Sequence, residues 1–258
     1  MPIEKQFISF YTILRKGLVR IFRIWSQTFL PPIMTSVLYF TVFGTILGGR
    51  IGELDGVPYI LFVIPGLVML SVITSAYTDT AHNFFASKFF SRNIDEILVS
   101  PTPPWIIIAG FVASGVIRGV IVGLLVLIVS IFFALPSVAH PLIVLLFLVL
   151  SSLIFALAGL VNGIYANGFD SISIVPTFVL TPLVYLGGVF YSITALPPMW
   201  QTISLANPIL YIINGFRHGF LGTSDIAPWI SISVLVGLAA VLVGINWYFL
   251  KKGLGLKQ

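Results

Sequence analysis

The chain has no cysteine and very little charge, and these two shortages set the first limits on its function. Without cysteine it can form no disulfide framework, no thiolate metal site and no cysteine nucleophile. Only 8% of the 258 residues are charged, whereas 58% are hydrophobic, and the mean hydropathy is +1.10. A water-soluble core of this length would not need such long uncharged runs, so the sequence predicts an integral membrane protein.

The motifs of nucleotide, metal and acyl-transfer chemistry are also missing from the sequence. No GxxxxGK[ST] run is present to hold phosphates, and no GxSxG elbow presents a serine. The histidines are scattered along the chain, at His82, His140 and His218. We therefore predict no catalytic centre, no metal and no cofactor in this chain. Energy for any work would come from another subunit or from an ion gradient.

Long uncharged segments predict an all-α fold with six transmembrane helices, in one domain that fills residues 1–258. A bilayer core of about 30 Å takes roughly 20 helical residues to cross. We place the spans at residues 28–49, 57–80, 104–134, 142–166, 173–193 and 228–250. Proline and glycine interrupt the fifth segment, so we expect less regular structure there.

The basic residues lie mainly on one side of this arrangement. Five precede the first span, two lie in the loop after the second and three follow the last, whereas Arg50 and Arg217 lie on the other side. The positive-inside rule makes the side with ten basic residues cytoplasmic, so we expect both termini there. The pI of 9.6 then reflects topology, and we predict no nucleic-acid partner. No cleavage site follows an early apolar core, so we expect the first residues to be retained.

Residues 3–25 repeat their apolar positions at helical spacing. Phe7 and Ile21 fall on one face, and Lys16 and Arg20 fall on the opposite one. The pattern predicts an amphipathic helix in the cytoplasmic membrane interface, with lipid as its partner. The alternative is a helix packed on a soluble domain, for which the chain offers no other sequence.

The loop at residues 84–100 concentrates charge in a chain that has little of it. Drawn as a helix, it separates Phe90 and Ile94 from a charged face that also holds two aromatic rings. Aromatic rings beside charges favour a protein-binding face, and the alternative is a solvated loop with incidental salt bridges. The residues of the charged face are Phe85, Lys88, Phe89, Arg92, Asp95 and Glu96.

One ionisable residue lies well inside a predicted span. Arg118 is about 14 residues into the third span, or roughly 21 Å at 1.5 Å per residue. A buried arginine costs at least about 2.5 kcal/mol to insert, so it needs a partner or water. It either faces a translocation path or subunit interface, or it pairs with a polar group for packing. Asp79 and Asp170 fall at predicted span ends.

Residues 195–222 are apolar enough to enter the membrane but too interrupted to cross it. We predict an extracytoplasmic re-entrant hairpin of two short helices, the second capped by Asn207. Arg217 would lie near its end, where headgroups or a partner helix could take its charge. The residues that define the hairpin are Pro197, Pro198, Asn207, Pro208 and Arg217.

Four segments together resemble the membrane subunit of ABC-2 type exporters, the YadH-like permeases of bacterial inner membranes in particular. The segments are IPGLVML at 64–70, RNIDEILVSPTP at 92–103, VPTFVLTPLVYLGGVFYS at 175–192 and GFRHGFLG at 215–222. The resemblance spans essentially the whole chain, and the segments come in the expected order. It implies a dimer, each copy of which rests on a separate subunit that binds ATP and Mg.

The resemblance also implies roles for particular segments. Residues 88–99 would be a coupling helix that touches the ATP-binding subunit, and the loop with Asp170 would make a second contact. The hairpin would lie near the exit, the helix at 3–25 beside the ATP-binding subunit, and the whole chain in the bacterial cytoplasmic (inner) membrane.

We therefore predict the permease subunit of an ATP-driven exporter, with its path at the dimer interface. Aromatic-rich spans favour an amphipathic or lipid-linked cargo. The alternatives are an ion-coupled carrier of small solutes and a non-transporting scaffold subunit. The candidate path residues are Tyr39, Phe43, Tyr185 and Tyr191.

Overall fold

A computed structural model describes residues 2–54, 56–90 and 93–255, which are mostly helical. Arg92 and the side chain of Asp95 lie outside the described residues. The elements in chain order are α1 (Ile3–Arg23), α2 (Trp25–Tyr39), a π-helical segment (Phe40–Leu47), α3 (Gly48–Ile51), the paired strands β1 (Glu53–Leu54) and β2 (Val57–Pro58), α4 (Tyr59–Phe89), α5 (Asn93–Val99), α6 (Pro104–Ile131), α7 (Pro141–Tyr165), α8 (Phe169–Val175), a second π-helical segment (Pro176–Leu180), α9 (Thr181–Tyr185), a 3-10 turn (Ile193–Ala195), α10 (Pro198–Leu205), α11 (Pro208–Leu221) and α12 (Pro228–Lys252).

In the described part of the chain, five helical segments are long and apolar enough to cross a membrane. They are Trp25–Ile51, Tyr59–Phe89, Pro104–Ile131, Pro141–Tyr165 and Pro228–Lys252. Each overlaps a predicted span, so the structure agrees with an all-α integral membrane protein. The predicted fifth span at 173–193 corresponds to a shorter apolar helix, Phe169–Tyr185. It contains one π-helical segment between two short α-helices and ends at Tyr185, and a sixth crossing stays a prediction.

The second span differs from its prediction because α4 continues nine residues beyond residue 80, to Phe89. Most side chains of this extension, residues 81–89, are buried, and polar ones among them form hydrogen bonds within the protein. Asn83 donates to the hydroxyl of Ser114 at 3.4 Å. The helix of the charged loop consequently begins later than predicted, at Asn93, and ends at Val99.

α4 is the central helix of the bundle and packs against α6, α7 and α11. About 72% of its most apolar window is buried, against 11% for α2 with its continuation and 17% for α12. Small residues let the neighbouring helices approach closely. A Cβ at Gly159 in α7 would overlap the carbonyl oxygen of Tyr77, and one at Gly163 would lie 2.9 Å from that of Ala81. In a lipid bilayer the hydrophobic effect does not drive helices together, so close van der Waals packing of this kind stabilises their association.

The segment at 195–222 forms two helices that meet at Asn207. The Asn207 side chain caps α11 by accepting the Ile209 N–H at 3.0 Å, as the sequence predicts. Of the two surroundings predicted for Arg217, headgroups or a partner helix, the structure has contacts within the protein, including one to helix α4. Arg217 is buried, its Nη2 donates to the carbonyl of Gly188 at 2.7 Å, and its guanidinium lies 3.7 Å from the centre of the Phe62 ring.

We predict that Gly159→Val lowers the free energy of unfolding by about 1–3 kcal/mol, because the new methyl groups must force α7 away from α4. Thermal unfolding of the purified chain in detergent measures this. The matched control is Gly237→Val in α12, where no atom of another described helix lies within 4 Å of the added Cβ. Equal melting temperatures for the two variants would contradict this account of the packing.

Candidate functional site

A buried carboxylate in α4 joins three helices near the end of the bundle where α1 and α5 lie. Asp79 is fully buried, and its Oδ1 accepts Nη2 of Arg20 at 2.7 Å and Nη1 of Arg118 at 3.3 Å. Its Oδ2 accepts the hydroxyl of Ser114 at 3.2 Å. Arg20 also donates to the Asp79 carbonyl at 3.2 Å. The group formed by Arg20, Asp79 and Arg118 is called the charged triad below.

The triad gives Arg118 a polar partner, which was one of its two predicted environments. Sequence reasoning missed Asp79 because it placed that residue at the end of a span. The longer α4 leaves Asp79 ten residues before Phe89 and brings it level with the arginines. The signal in the sequence that could have indicated this pairing is the small number of charged residues in the chain. Two arginines and one carboxylate in apolar surroundings are expected to find one another.

α1 contacts the bundle through a narrow stripe formed by Ile13, Gly17 and Ile21, with Arg20 beside it, so Ile21 packs inward although the sequence placed it on the same face as Phe7. Ile21 is buried and a Cβ at Gly17 would overlap the side chain of Ser114, so α1 lies very close to α6. The opposite face is exposed, with Phe7 at 68% and Phe22 at 56% of their full surface. A helix that turns its apolar face outward is stable where lipid covers that face. The position of α1 in the membrane interface stays a prediction.

A cleft of about 380 Å³ opens beside the triad. Gln27, Thr28 and His82 line it together with the three charged residues. The Nε atoms of Arg20 and Arg118 are buried and have no hydrogen-bond acceptor among the described residues. With two guanidinium groups against one carboxylate, the cleft carries an excess of positive charge.

Two of the predicted coupling residues turn out to be buried by the chain's own helices. Phe85 is 3% exposed and Lys88 is 6% exposed. The Lys88 ammonium donates to the carbonyls of Ile164 and Ala166, at 3.1 Å and 3.3 Å. A cation there satisfies the unpaired carbonyls at the end of α7. Phe85 and Lys88 thus lie under the exposed loop and pack against the helices, whereas the sequence predicted them on an exposed face.

Other predicted coupling residues do reach the surface. Glu96 and Asp170 are exposed, and Phe89 is half-buried. Burial and the positive charge of Arg20 lower the pKa of Lys16, and the carboxylate of Glu96 acts in the opposite direction. Glu96 therefore lies within electrostatic reach of α1.

Four aromatic rings connect the end of α4 with the start of α8. The ring of Phe169 lies 5.3 Å from that of Phe85 and 5.5 Å from that of Phe90. Phe85 in turn lies 4.6 Å from Phe89. Phe90 and Phe169 remain 66% and 59% exposed. The structure thus places the two loops that the sequence selected, those with Glu96 and Asp170, on one surface.

The candidate path residues lie around one ring that the sequence analysis did not select, Phe190. Its ring stacks on Phe43 at 4.3 Å and lies 6.3 Å from Tyr39 and 6.0 Å from Tyr185. The fourth candidate, Tyr191, donates its hydroxyl to the carbonyl of Tyr185 at 2.8 Å. Tyr39 and Phe43 border or occupy the first π-helical segment, and π-helical turns are frequent at functional sites.

The fold and site define a helical membrane protein, and its described residues contain no cluster of three side chains suited to a metal. Residues 8–221 match the family model of the ABC-2 type transporter, so the chain belongs to that family.

Relatives in the family are similar over most of their length. The inner membrane transport permease YadH of Escherichia coli K12 is 50% identical over 251 residues, which cover 97% of this chain and 98% of that protein. The same values hold for YadH of Shigella flexneri. Nodulation protein J of Rhizobium meliloti is 25% identical over 84% of each chain.

We predict that Arg20 and Asp79 are energetically coupled by about 1–3 kcal/mol, since removal of Arg20 leaves the buried carboxylate of Asp79 without its shorter ion pair. A double-mutant cycle with Arg20→Ala and Asp79→Ala, followed by unfolding in mixed detergent micelles, measures the coupling. Exposed Asp170 supplies the control in a cycle of Arg20→Ala with Asp170→Ala. Additive effects in both cycles would contradict the importance of the triad.

Proposed function

We propose that the chain is the permease subunit of an ATP-binding-cassette exporter in the bacterial inner membrane. Family membership supports a permease of an ABC system, and the name of the relatives from Escherichia coli and Shigella supports the membrane. Because the sequence has no phosphate-binding loop, ATP and Mg would be bound by a separate subunit.

The observation that carries the proposal is the exposed surface at the end of α4 and α5. Phe90, Glu96, Val99, Phe169 and Asp170 are exposed there, and we call this set the docking surface. Val99 is 89% exposed. Apolar side chains beside carboxylates, supported from below by Phe85 and Lys88, suit a protein partner better than water. The ATP-binding subunit is the partner that this family requires.

We place the transport path beside α2 and the aromatic rings around Phe190, away from the docking surface. α2 and its π-helical continuation have little contact with the rest of the chain, so a second copy can pack on them. The rings around Phe190 lie beside this free face and include half-exposed Tyr185. Two copies would enclose an aromatic-lined path suited to an amphipathic or lipid-linked molecule. Closure of the ATP-binding subunits would move the docking surfaces and switch the path between two states.

We predict that Glu96→Arg abolishes co-purification of the ATP-binding subunit, because it reverses an exposed charge of the docking surface. The measurement is the amount of ATP-binding subunit, and of vanadate-sensitive ATPase activity, per permease after affinity purification from membranes. Glu53→Arg is the control, since it makes the same change in β1 on the predicted opposite side of the membrane.

Wild-type stoichiometry in Glu96→Arg would count against the docking surface, provided that both variants elute as wild type in size exclusion. A lower melting temperature in Glu96→Arg alone would point to its neighbour Lys16 instead, and Asp170→Arg then repeats the test without that contact.

The main alternative is an ion-coupled carrier, and reconstitution distinguishes it. An ion-coupled carrier transports solute in vesicles that contain this chain alone and responds to a pH or sodium gradient. The proposed exporter requires the second subunit and ATP. A scaffold subunit shows neither activity.

A further inference from the structure

We propose that the cleft beside the charged triad binds the phosphate of a lipid in the cytoplasmic leaflet, either a membrane lipid or a lipid-linked cargo. The proposal rests on the proposed function for the orientation of the chain. It adds the chemical class that the permease recognises and the residues that recognise it.

The first argument is the unbalanced charge of the triad. One carboxylate faces two guanidinium groups, and the longer contact, 3.3 Å, leaves Arg118 the less tightly held of the two. Of the cleft's described lining, Asp79 supplies the only acidic group, whereas the side chain of Gln27 adds an amide donor. An anion entering the cleft meets an excess of donors over acceptors.

The second argument is that the donors are incompletely used. Nε of Arg20 and Nε of Arg118 are buried without an acceptor among the described residues, whereas buried polar groups in proteins are almost always bonded. A guanidinium pairs best with phosphate or carboxylate through two parallel N–H groups. Both arginines share one carboxylate oxygen, Oδ1 of Asp79. A phosphate in the cleft would offer each arginine an acceptor oxygen of its own.

The third argument concerns the depth and surroundings of the cleft. The cleft extends from Arg20 of α1, which we place in the membrane interface, to Arg118, which lies deeper in the third span, so a lipid phosphate can enter it from the level of the headgroups. Its rim includes Ile24, which is 40% exposed, and Trp25 beside it is 63% exposed. These apolar groups can accept an acyl chain. A volume of about 380 Å³ fits a phosphate with part of its headgroup, within the usual range of about 300–1,000 Å³.

Asp79 then acts as a competitor within the protein. While the cleft is empty, its carboxylate neutralises part of the charge of Arg20 and Arg118. A phosphate takes over those donors, so removal of the carboxylate charge should strengthen lipid binding, and removal of an arginine should weaken it. The opposite signs separate a binding site from a purely structural ion pair.

The test measures lipid binding by the purified chain, with its ATP-binding subunit where this co-purifies, by native mass spectrometry in detergent. Phosphatidylglycerol is the probe, and phosphatidylcholine and inorganic phosphate are the comparisons. We expect Arg118→Gln to weaken phosphatidylglycerol binding at least tenfold and Asp79→Asn to strengthen it at least threefold. Arg23→Gln, which removes an exposed charge from the same end of α1, should remain within twofold of wild type.

Several outcomes would overturn the proposal. They are equal loss in Arg118→Gln and Arg23→Gln, no loss in Arg118→Gln, or full displacement of the lipid by inorganic phosphate at an equal concentration. If Asp79→Asn fails to fold, the comparison of the two arginine variants still decides. ATP hydrolysis that phosphatidylglycerol stimulates in the wild type but not in Arg118→Gln identifies a cargo, and binding without stimulation identifies a resident lipid; both support the site.

Failure of this inference and failure of the proposed function give different results. Arg118 lies away from the docking surface, so Arg118→Gln should retain the ATP-binding subunit while it loses lipid. If no ATP-binding subunit accompanies even the wild-type chain, the proposed function fails, and lipid binding is still measured on the chain alone.

Discussion

The pairing of Asp79 with Arg20 and Arg118 is the interaction on which the arrangement of this protein depends. A carboxylate without solvent exposure in the central helix is tolerable only with cationic partners, and here the partners come from two other helices. The pairing with Arg20 explains why the stripe with Gly17 and Ile21 faces the bundle while Phe7 and Phe22 remain exposed. One buried charge thus fixes the position of the N-terminal helix against α4 and α6.

The length of α4 connects this site with both functional regions. Its 31 residues extend about 46 Å at 1.5 Å per residue, which exceeds the roughly 30 Å hydrocarbon core of a bilayer. At one end Tyr59 donates its hydroxyl to the carbonyl of Phe190 at 3.1 Å, within the aromatic cluster. At the other end Phe85 and Lys88 support the docking surface. In the proposed exporter, α4 is the rigid element through which movement at the docking surface reaches the path.

The sequence was most informative where long periodic segments decide the structure. Five spans, the cap at Asn207 and the amphipathic α1 were predictable because hydrophobic length, turn chemistry and helical spacing are local properties. The end of α4 was not, since residues 81–89 mix polar and apolar types, and only tertiary partners such as Ser114 keep them helical and buried. Hydrogen bonds to the carbonyls of Ile164 and Ala166 likewise bury Lys88, which the sequence placed on an exposed charged face. Asp79 and Phe190 were missed because their partners, such as Arg20 for Asp79 and Phe43 for Phe190, are distant in the sequence and meet them only in the folded structure.

The central claim is that the end of the bundle with α5 contacts an ATP-binding subunit, and the absence of native cysteine makes it directly testable by cross-linking. Val99→Cys places a unique thiol on the docking surface, and Leu205→Cys places one at the exposed end of α10. In native membranes, a photoactivatable maleimide on Val99→Cys should yield a cross-link whose partner, sequenced by mass spectrometry, is an ATP-binding subunit, and Leu205→Cys should yield none. Cross-linking to that subunit from Leu205→Cys alone, or from neither position, would contradict the account.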